Sequence, residues 1–149
     1  MDRRYILLLA LLLALARCTG NGAADLQFLE CAPGVLGSAK PLLDVMSATY
    51  DLGDASLMCA AQPSWETQAR ELRARLDGCT QPADGNLRSA HLSFRSALRL
   101  LAEELQAVGQ FCRTGDLGRL ERAAALGDQM SLSMKAANED LDKYNASQQ

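Results

Sequence analysis

The chain contains a single histidine, His91, which is the residue best suited to chemistry. In a helical protein its imidazole could take one axial position of a haem iron, with a methionine sulfur in the other. The methionines available in predicted helices are Met46, Met58, Met130 and Met134. No Cys-x-x-Cys-His attachment motif occurs, and a lone histidine near the start of a helix is typical of a packed residue. His91 is therefore a candidate ligand contact, although the pattern favours a packed histidine that is hydrogen-bonded to a neighbour.

Trp65, Met130 and Met134 are further candidate ligand contacts, each with a simpler alternative. Trp65 begins an apolar stripe, where a tryptophan is more often a core anchor than a binding aromatic. The two methionines form a soft patch on the last predicted helix, and such surfaces bind partners adaptably. Their position on the apolar face of that helix favours the core.

The cysteines and acidic residues lack the spacings that metal sites and hydrolases need. No two cysteines stand two to four residues apart and no Glu-x-x-His pair occurs, so the sequence predicts no metal site. No Gly-x-Ser-x-Gly motif is present. The adjacent Glu103 and Glu104 diverge around a helix, which is typical of a solvated face rather than an acid–base pair. No catalytic residue and no bound cofactor are predicted.

The most regular helical pattern, which must position His91, lies between residues 86 and 113. Apolar side chains recur there at alternating steps of four and three, which places them on one face of an α-helix. That face comprises Leu87, His91, Phe94, Leu98, Leu101, Leu105, Val108 and Cys112. The charged residues between them, Glu104 included, are expected to face away. A helix this amphipathic requires partner helices to cover its apolar face.

Three further helices supply those partners. The first is predicted over 38–61 and ends at the break Gln62-Pro63, after which Ser64 caps a second helix that ends at Gly78. The last helix begins after Asp116 and continues to Tyr144, with alanines and a glycine making part of its face small. No alternating strand pattern persists, so the fold class is all-α. Short connections predict an antiparallel, up-down-up-down four-helix bundle over residues 36–145.

The first residues have the pattern of an export signal. Two arginines precede an apolar run that is too short to anchor stably in a bilayer, so residues 1–17 are predicted to be a secretory signal peptide. Cleavage after Ala16 would release a secreted protein. The segment Leu15-Ala16-Arg17-Cys18 resembles a bacterial lipobox, which predicts lipidation at Cys18 and attachment to the membrane surface. Arg17 departs from the small residue usual before that cysteine, so both processing routes remain open.

The number of cysteines favours lipidation. If Cys18 carries a lipid, the other four can close two disulfides, as exported proteins prefer. In an antiparallel bundle the C-terminal ends of the first and third helices lie together, and the start of the first helix lies beside the C-terminal end of the second. That geometry predicts the pairs Cys59–Cys112 and Cys31–Cys79. A bond between Cys59 and Cys79 would have to span a whole helix of about 20 Å, which exceeds the reach of a disulfide.

The net charge excludes one class of partner. The chain carries a formal charge of −3, and removing residues 1–17 takes out three arginines and one aspartate, leaving −5. Because no basic patch is present to contact phosphates, nucleic acid is not an expected partner.

The whole layout resembles that of small bacterial envelope lipoproteins, built from a lipid anchor, a polar tether and a helical bundle. Trp65, the segment PADGNLRSAH at 82–91, a Gly-Asp turn and a last amphipathic helix follow one another as in proteins of this kind. The resemblance implies no assigned activity. The tether and N-terminal extension are expected at 18–35 and a frayed tail at 146–149.

The resulting functional hypothesis is a non-enzymatic extracytoplasmic module, lipid-anchored through Cys18, that binds a protein or an envelope component. The alternative is a bundle that carries a haem or small ligand, with His91 as a contact. An enzyme would require a pocket that brings His91 together with acidic residues from other helices.

Overall fold

The computed structural model of the chain describes residues 22–149. Within this range the protein consists of four long α-helices and no strand, which confirms the predicted all-α, four-helix fold. The predicted signal peptide and the predicted lipidation site Cys18 lie outside the described residues. The helices are α1 (Ala23–Leu52), α2 (Ala55–Asp77), α3 (Gly85–Thr114) and α4 (Leu117–Ser147).

Aspartate side chains start three of these helices. Asp54, Asp84 and Asp116 each accept hydrogen bonds from backbone amides of the first helical turn, which have no partner within the helix itself. The two tight turns before α2 and α4 each contain a glycine in the left-handed conformation, Gly53 at φ 64° and Gly115 at φ 70°. A glycine followed by a capping aspartate therefore reverses the chain at the same end of the molecule twice.

The predicted boundary between the first two helices is wrong. The break lies at Gly53 and Asp54 rather than at Gln62-Pro63, and Pro63 sits inside α2. An interior proline costs about 3 kcal/mol, but α2 continues because Met58 and Trp65 are buried on either side of it. Left-handed Gly53 followed by the Asp54 cap is the stronger stop signal. Cys59 consequently belongs to the start of α2.

The segment 18–35, expected to form a tether and N-terminal extension, contributes to the first helix from Ala23 onward. Helix α1 begins at Ala23 and continues through Pro33 and Pro41, with Phe28, Ala32 and Val35 buried in the core. Packing against the rest of the protein stabilises a segment whose prolines and glycines argue against a helix. At the other end of the chain α4 extends to Ser147, which is beyond the predicted end of the bundle.

Helix α3 is the centre of the core. Its predicted apolar face is buried from Leu87 to Val108, and Cys112 is partly buried. The helix also buries a second set of residues, among them Ala97, Ala107 and Glu104. Because α3 packs closely against both α2 and α4, more than one face is covered.

The two predicted disulfides are present and join opposite ends of the molecule. Cys31 of α1 is bonded to Cys79 after α2, with 5.8 Å between their α-carbons. Cys59 of α2 is bonded to Cys112 of α3, with 5.4 Å between their α-carbons. Two disulfides are typical of proteins in an oxidising compartment. Among residues 22–149, no helix combines the length and apolar character required to cross a membrane.

Close packing between helices, within the described part of the chain, is limited to the sequential pairs α1–α2, α2–α3 and α3–α4. The first and last helices are not among the closely packed pairs. In a closed four-helix bundle these two would be neighbours. A cleft lies between α1 and α4 at the end of the molecule that carries the two glycine turns.

Candidate functional site

His91 is enclosed in the core and takes no part in an open site. Its side chain is 6% exposed and its ring lies 5.2 Å from that of Phe28, centroid to centroid. Burial and the nearby Arg95 lower the pKa of the imidazole, while a hydrogen bond to the Leu76 backbone opposes them. The uncharged ring is the form that this environment favours, and its Nε2 atom is buried without a hydrogen-bond partner in the described chain. These contacts are those of a packed histidine.

Trp65 and the two candidate methionines occupy different surroundings. Trp65 is buried and meets the Tyr50 ring edge-on, with 6.0 Å between centroids. Met134 is partly buried against the core. Met130 alone among the four candidate contacts lines the cleft that opens between α1 and α4. The structure therefore does not bring His91, Trp65 and the methionines together around one ligand.

The α1–α4 cleft has a volume of about 590 Å³. This is within the range of pockets that bind small molecules. Its walls come from the C-terminal part of α1 and the N-terminal half of α4, and α2 and α3 form its floor. Its apolar lining residues include Leu43, Met46, Met58, Val108, Leu120 and Met130. The cleft lies about 20 Å along α3 from His91, as judged by the helical rise between residues 91 and 104.

Glu104 is the polar residue on the cleft floor, and its burial overturns the expectation of a solvated face. It is only 5% exposed. Its Oε1 atom accepts a hydrogen bond from the Tyr50 hydroxyl at 3.1 Å. No other residue of the described chain donates a hydrogen bond to the carboxylate. A Cβ atom placed on Gly127 of α4 would lie 3.4 Å from Oε2, so this oxygen lies close to the α4 backbone.

Burial sets the ionisation of this pair. It raises the pKa of Glu104 to about 7, although the hydrogen bond from Tyr50 acts in the opposite direction. Burial, and then the Glu104 charge, raise the pKa of the Tyr50 phenol, which stays protonated and donates. Glu104 is therefore divided between its neutral and charged forms near neutral pH.

The charged residues around Glu104 are all acidic. Asp51, Asp54 and Asp128 also line the α1–α4 cleft, and none of the lining residues in the described range is a lysine, arginine or histidine. Asp54 already accepts two amide hydrogen bonds as the cap of α2. The cleft is thus apolar over most of its wall and negatively charged at its polar points.

The small residues of α4 form the outer wall of the cleft. Ala123, Ala124 and Gly127 line it. The sequence indicated a small face that allows a neighbour to approach closely, and α3 does pack closely against α4. On the side of α4 that faces α1, however, these small residues line the cleft instead of contacting a neighbouring helix closely. The spacing of these small residues, about one helical turn apart on α4, is the sequence signal that could have indicated the site.

No triad of potential metal ligands, drawn from histidine, cysteine, aspartate and glutamate, is close enough to hold an ion within residues 22–149. The cleft also lacks a histidine, cysteine or lysine that could serve as a nucleophile or strong base. What the arrangement offers is a binding surface with one buried carboxyl group.

The fold and cleft define a disulfide-linked, all-α four-helix protein with a small-molecule-sized opening between its first and last helices. No known protein family, curated protein or solved structure matches this chain.

Proposed function

We propose that the protein is a non-enzymatic extracytoplasmic module that binds a small, largely apolar molecule in the α1–α4 cleft. The observation that carries this proposal is the buried side chain of Glu104 on the floor of a largely apolar opening. Burying a carboxyl group that has a single hydrogen-bond donor costs free energy, and packing alone gives no reason for that cost. Ligand pockets typically have mostly apolar walls and a small number of polar groups that fix the orientation of the ligand.

Lipid anchoring through Cys18 is the second part of the proposal. The other four of the five cysteines are bonded to one another, so Cys18 has no cysteine left in its own chain to pair with. The lipobox-like segment and the polar residues after it support acylation. Mass spectrometry of the N-terminal peptide from the host membrane fraction tests it. A lipid-modified N-terminal Cys18 is expected, and an unmodified peptide that starts at Arg17 would contradict it.

An anchor at Cys18 would orient the cleft away from the membrane. Helix α1 starts at Ala23, close to the anchor, and its cleft residues begin at Leu43. At 1.5 Å per residue this is about 30 Å along the helix. The opening would therefore face the aqueous compartment, where a ligand or a delivering partner can reach it.

Binding of the neutral dye Nile red tests the cleft. Its fluorescence increases when it enters an apolar site, and saturable binding by the native protein is expected. Ala124 is exposed and lines the cleft, so Ala124→Trp should weaken binding at least tenfold by filling the opening. Ala125→Trp is the matched control, since Ala125 is exposed on the same helix but does not line the cleft. Equal loss in both variants, or no saturable binding by the native protein, would contradict the proposal.

A second candidate function is binding of a partner protein at the end of the molecule where the cleft lies. Leu52, Leu57 and Leu117 are more than half exposed, and all lie next to the turns at that end. A photo-crosslinking residue at position 117 should capture a discrete partner in the native envelope. The same residue at Leu132, which is similarly exposed in the middle of α4, is the control and should not.

A further inference from the structure

We infer that the ligand of the α1–α4 cleft is an amphipathic organic cation, with its charged group on Glu104 and its apolar part against the cleft methionines. This inference rests on the proposed binding function and specifies the chemistry of the ligand.

The charge of the lining residues is the first observation. Four acidic residues line the cleft, and none of its lining residues within 22–149 is basic. Elsewhere on the described surface acidic residues are commonly paired, as Asp77 is with Arg95 at 2.7 Å and Glu103 with Arg99 at 2.6 Å. A cleft with this distribution attracts cations and repels anions of the same size.

The position of Glu104 is the second observation. One carboxyl oxygen accepts from Tyr50, and the other lies beside Gly127 with no donor from the described residues. Glu104 is only 5% exposed, and a charged carboxylate on a buried residue is stabilised by a counter-charge in hydrogen-bonding contact far more than by a neutral group. An ammonium group in the cleft would supply both the charge and the missing donor.

The apolar walls determine the rest of the ligand. Met46, Met58 and Met130 come from three different helices and line the same opening. Methionine side chains are flexible and polarisable, so they adapt to alkyl or aromatic groups of varied shape. A ligand that carried only charge would leave this surface uncovered, and one that was only apolar would leave the second carboxyl oxygen of Glu104 without a donor. An amphipathic cation satisfies both.

A hydrated metal ion fits this site poorly. Hard cations require several oxygen ligands arranged around one point. No set of three acidic or other ligating residues is arranged in that way in the described range. Asp54 is further committed to the first amides of α2. In the cleft the carboxyl group and the apolar surface occupy separate places, as do the charged group and the apolar part of an amphipathic organic cation.

Three ligands that share a ten-carbon chain test the inference: decylammonium, decanol and decanoate, each below its aggregation concentration. Isothermal titration of the full-length native protein at pH 8 keeps the amine protonated and the carboxylate of Glu104 largely ionised. Decylammonium is expected to bind at least tenfold more tightly than decanol, and decanoate more weakly than either. A charged hydrogen bond of ordinary strength accounts for a difference of that size.

The variant Glu104→Gln isolates the buried charge. It should weaken decylammonium binding about tenfold or more and leave decanol binding unchanged, because the shape of the cleft is preserved. Glu103→Gln is the matched control, since it removes the neighbouring charge on the surface of the same helix and should alter none of the three affinities. Circular dichroism on each variant establishes that it is folded.

The outcomes separate the two proposals. Equal binding of the three ligands by the native protein would overturn the cationic ligand and leave the binding cleft standing. A decylammonium preference that survives Glu104→Gln would overturn the assignment to Glu104. If the native protein binds neither Nile red nor any ligand of the series, the proposed function itself is wrong.

Discussion

Tyr50 near the end of α1 donates its hydroxyl hydrogen to Glu104 in the middle of α3, with 3.1 Å between the oxygens. This bond crosses the floor of the cleft and joins two helices that do not pack closely against each other. The Trp65 ring meets the Tyr50 ring edge-on and supports it from α2. The position of the buried carboxyl group therefore depends on three helices.

Removing the Tyr50 hydroxyl should raise the pKa of Glu104 above about 7. In the native protein the hydrogen bond from Tyr50 stabilises the charged carboxylate and lowers the pKa, against the larger effect of burial. Tyr50→Phe keeps the ring and its contact with Trp65 and loses only the bond. A carbon-detected NMR titration of the Glu104 side chain measures the change.

Thr49→Val provides the comparison for Tyr50→Phe. Thr49 is adjacent on α1 and also lines the cleft, but its hydroxyl donates to the Val45 carbonyl of the same helix. We expect its removal to leave the Glu104 pKa unchanged. A Glu104 pKa that is the same in Tyr50→Phe as in the native protein would show that the hydrogen bond does not act on the carboxylate.

The stability of the ligand-free protein should fall as pH rises through the range between the unfolded and folded pKa values of Glu104. The pKa is raised from 4.5 to about 7 on folding, so between these values the folded state holds a proton that the unfolded state has lost. The folded state is then disfavoured as pH rises. The contribution of Glu104 to the free energy of unfolding should decrease by about 3 kcal/mol from pH 4.5 to pH 7.

Urea denaturation of the native protein and of Glu104→Gln at a series of pH values measures this effect. The glutamine does not titrate, so the variant should gain stability relative to the native protein as pH rises. Glu103→Gln, which lies on the surface and pairs with Arg99, should follow the native profile. Parallel profiles for the native protein and Glu104→Gln would contradict the assignment.

The two disulfides should affect stability alike and binding differently. They join residues 48 and 53 positions apart, so loss of either should lower the free energy of unfolding by about 4 kcal/mol through the entropy of the unfolded chain. Cys59 follows the cleft residue Met58, whereas Cys31–Cys79 lies at the opposite end. Replacing Cys59 and Cys112 by serine should therefore weaken Nile red binding several-fold, and replacing the other pair should not. Equal effects on binding would show that the bond does not shape the cleft.

A methyl group at Gly109 should destabilise the packing of α2 on α3. The Gln62 side chain is buried between these helices, and its Nε2 atom donates to the Leu105 carbonyl at 3.0 Å. A Cβ atom on Gly109 would lie 2.7 Å from the same nitrogen. Gly109→Ala should displace this bond and lower the free energy of unfolding by about 1–2 kcal/mol, measured by denaturant titration.

Gly37→Ala is the matched substitution in α1. A Cβ atom there would meet no atom within 4 Å, so the change should stabilise the protein by about 0.5–1 kcal/mol through helix propensity. If both alanine variants are stabilised, the close approach at Gly109 is not a constraint on the packing.

The local pattern of the sequence was sufficient to predict the fold class and the disulfide pairs. The spacing from Leu87 to Val108 specifies a helix with a buried face, and four such helices require one another. The pairing of Cys59 with Cys112 follows from which ends of antiparallel helices meet. It held although the helix break lies at Gly53 rather than at Pro63, because Cys59 stays at the same end of the molecule in both cases.

The cleft and its carboxyl group were decided only by the tertiary structure. A helical repeat indicates which residues share a face, but not how many neighbours the helix has. Glu104 lies off the apolar stripe of α3 and is buried because α4 also covers that helix, with Gly127 close to the carboxylate. The separation of α1 from α4 is likewise a property of the assembled helices. The sequence by itself determined four amphipathic helices and their two covalent links, and the packing of all four determined where a polar group is enclosed and where the bundle stays open.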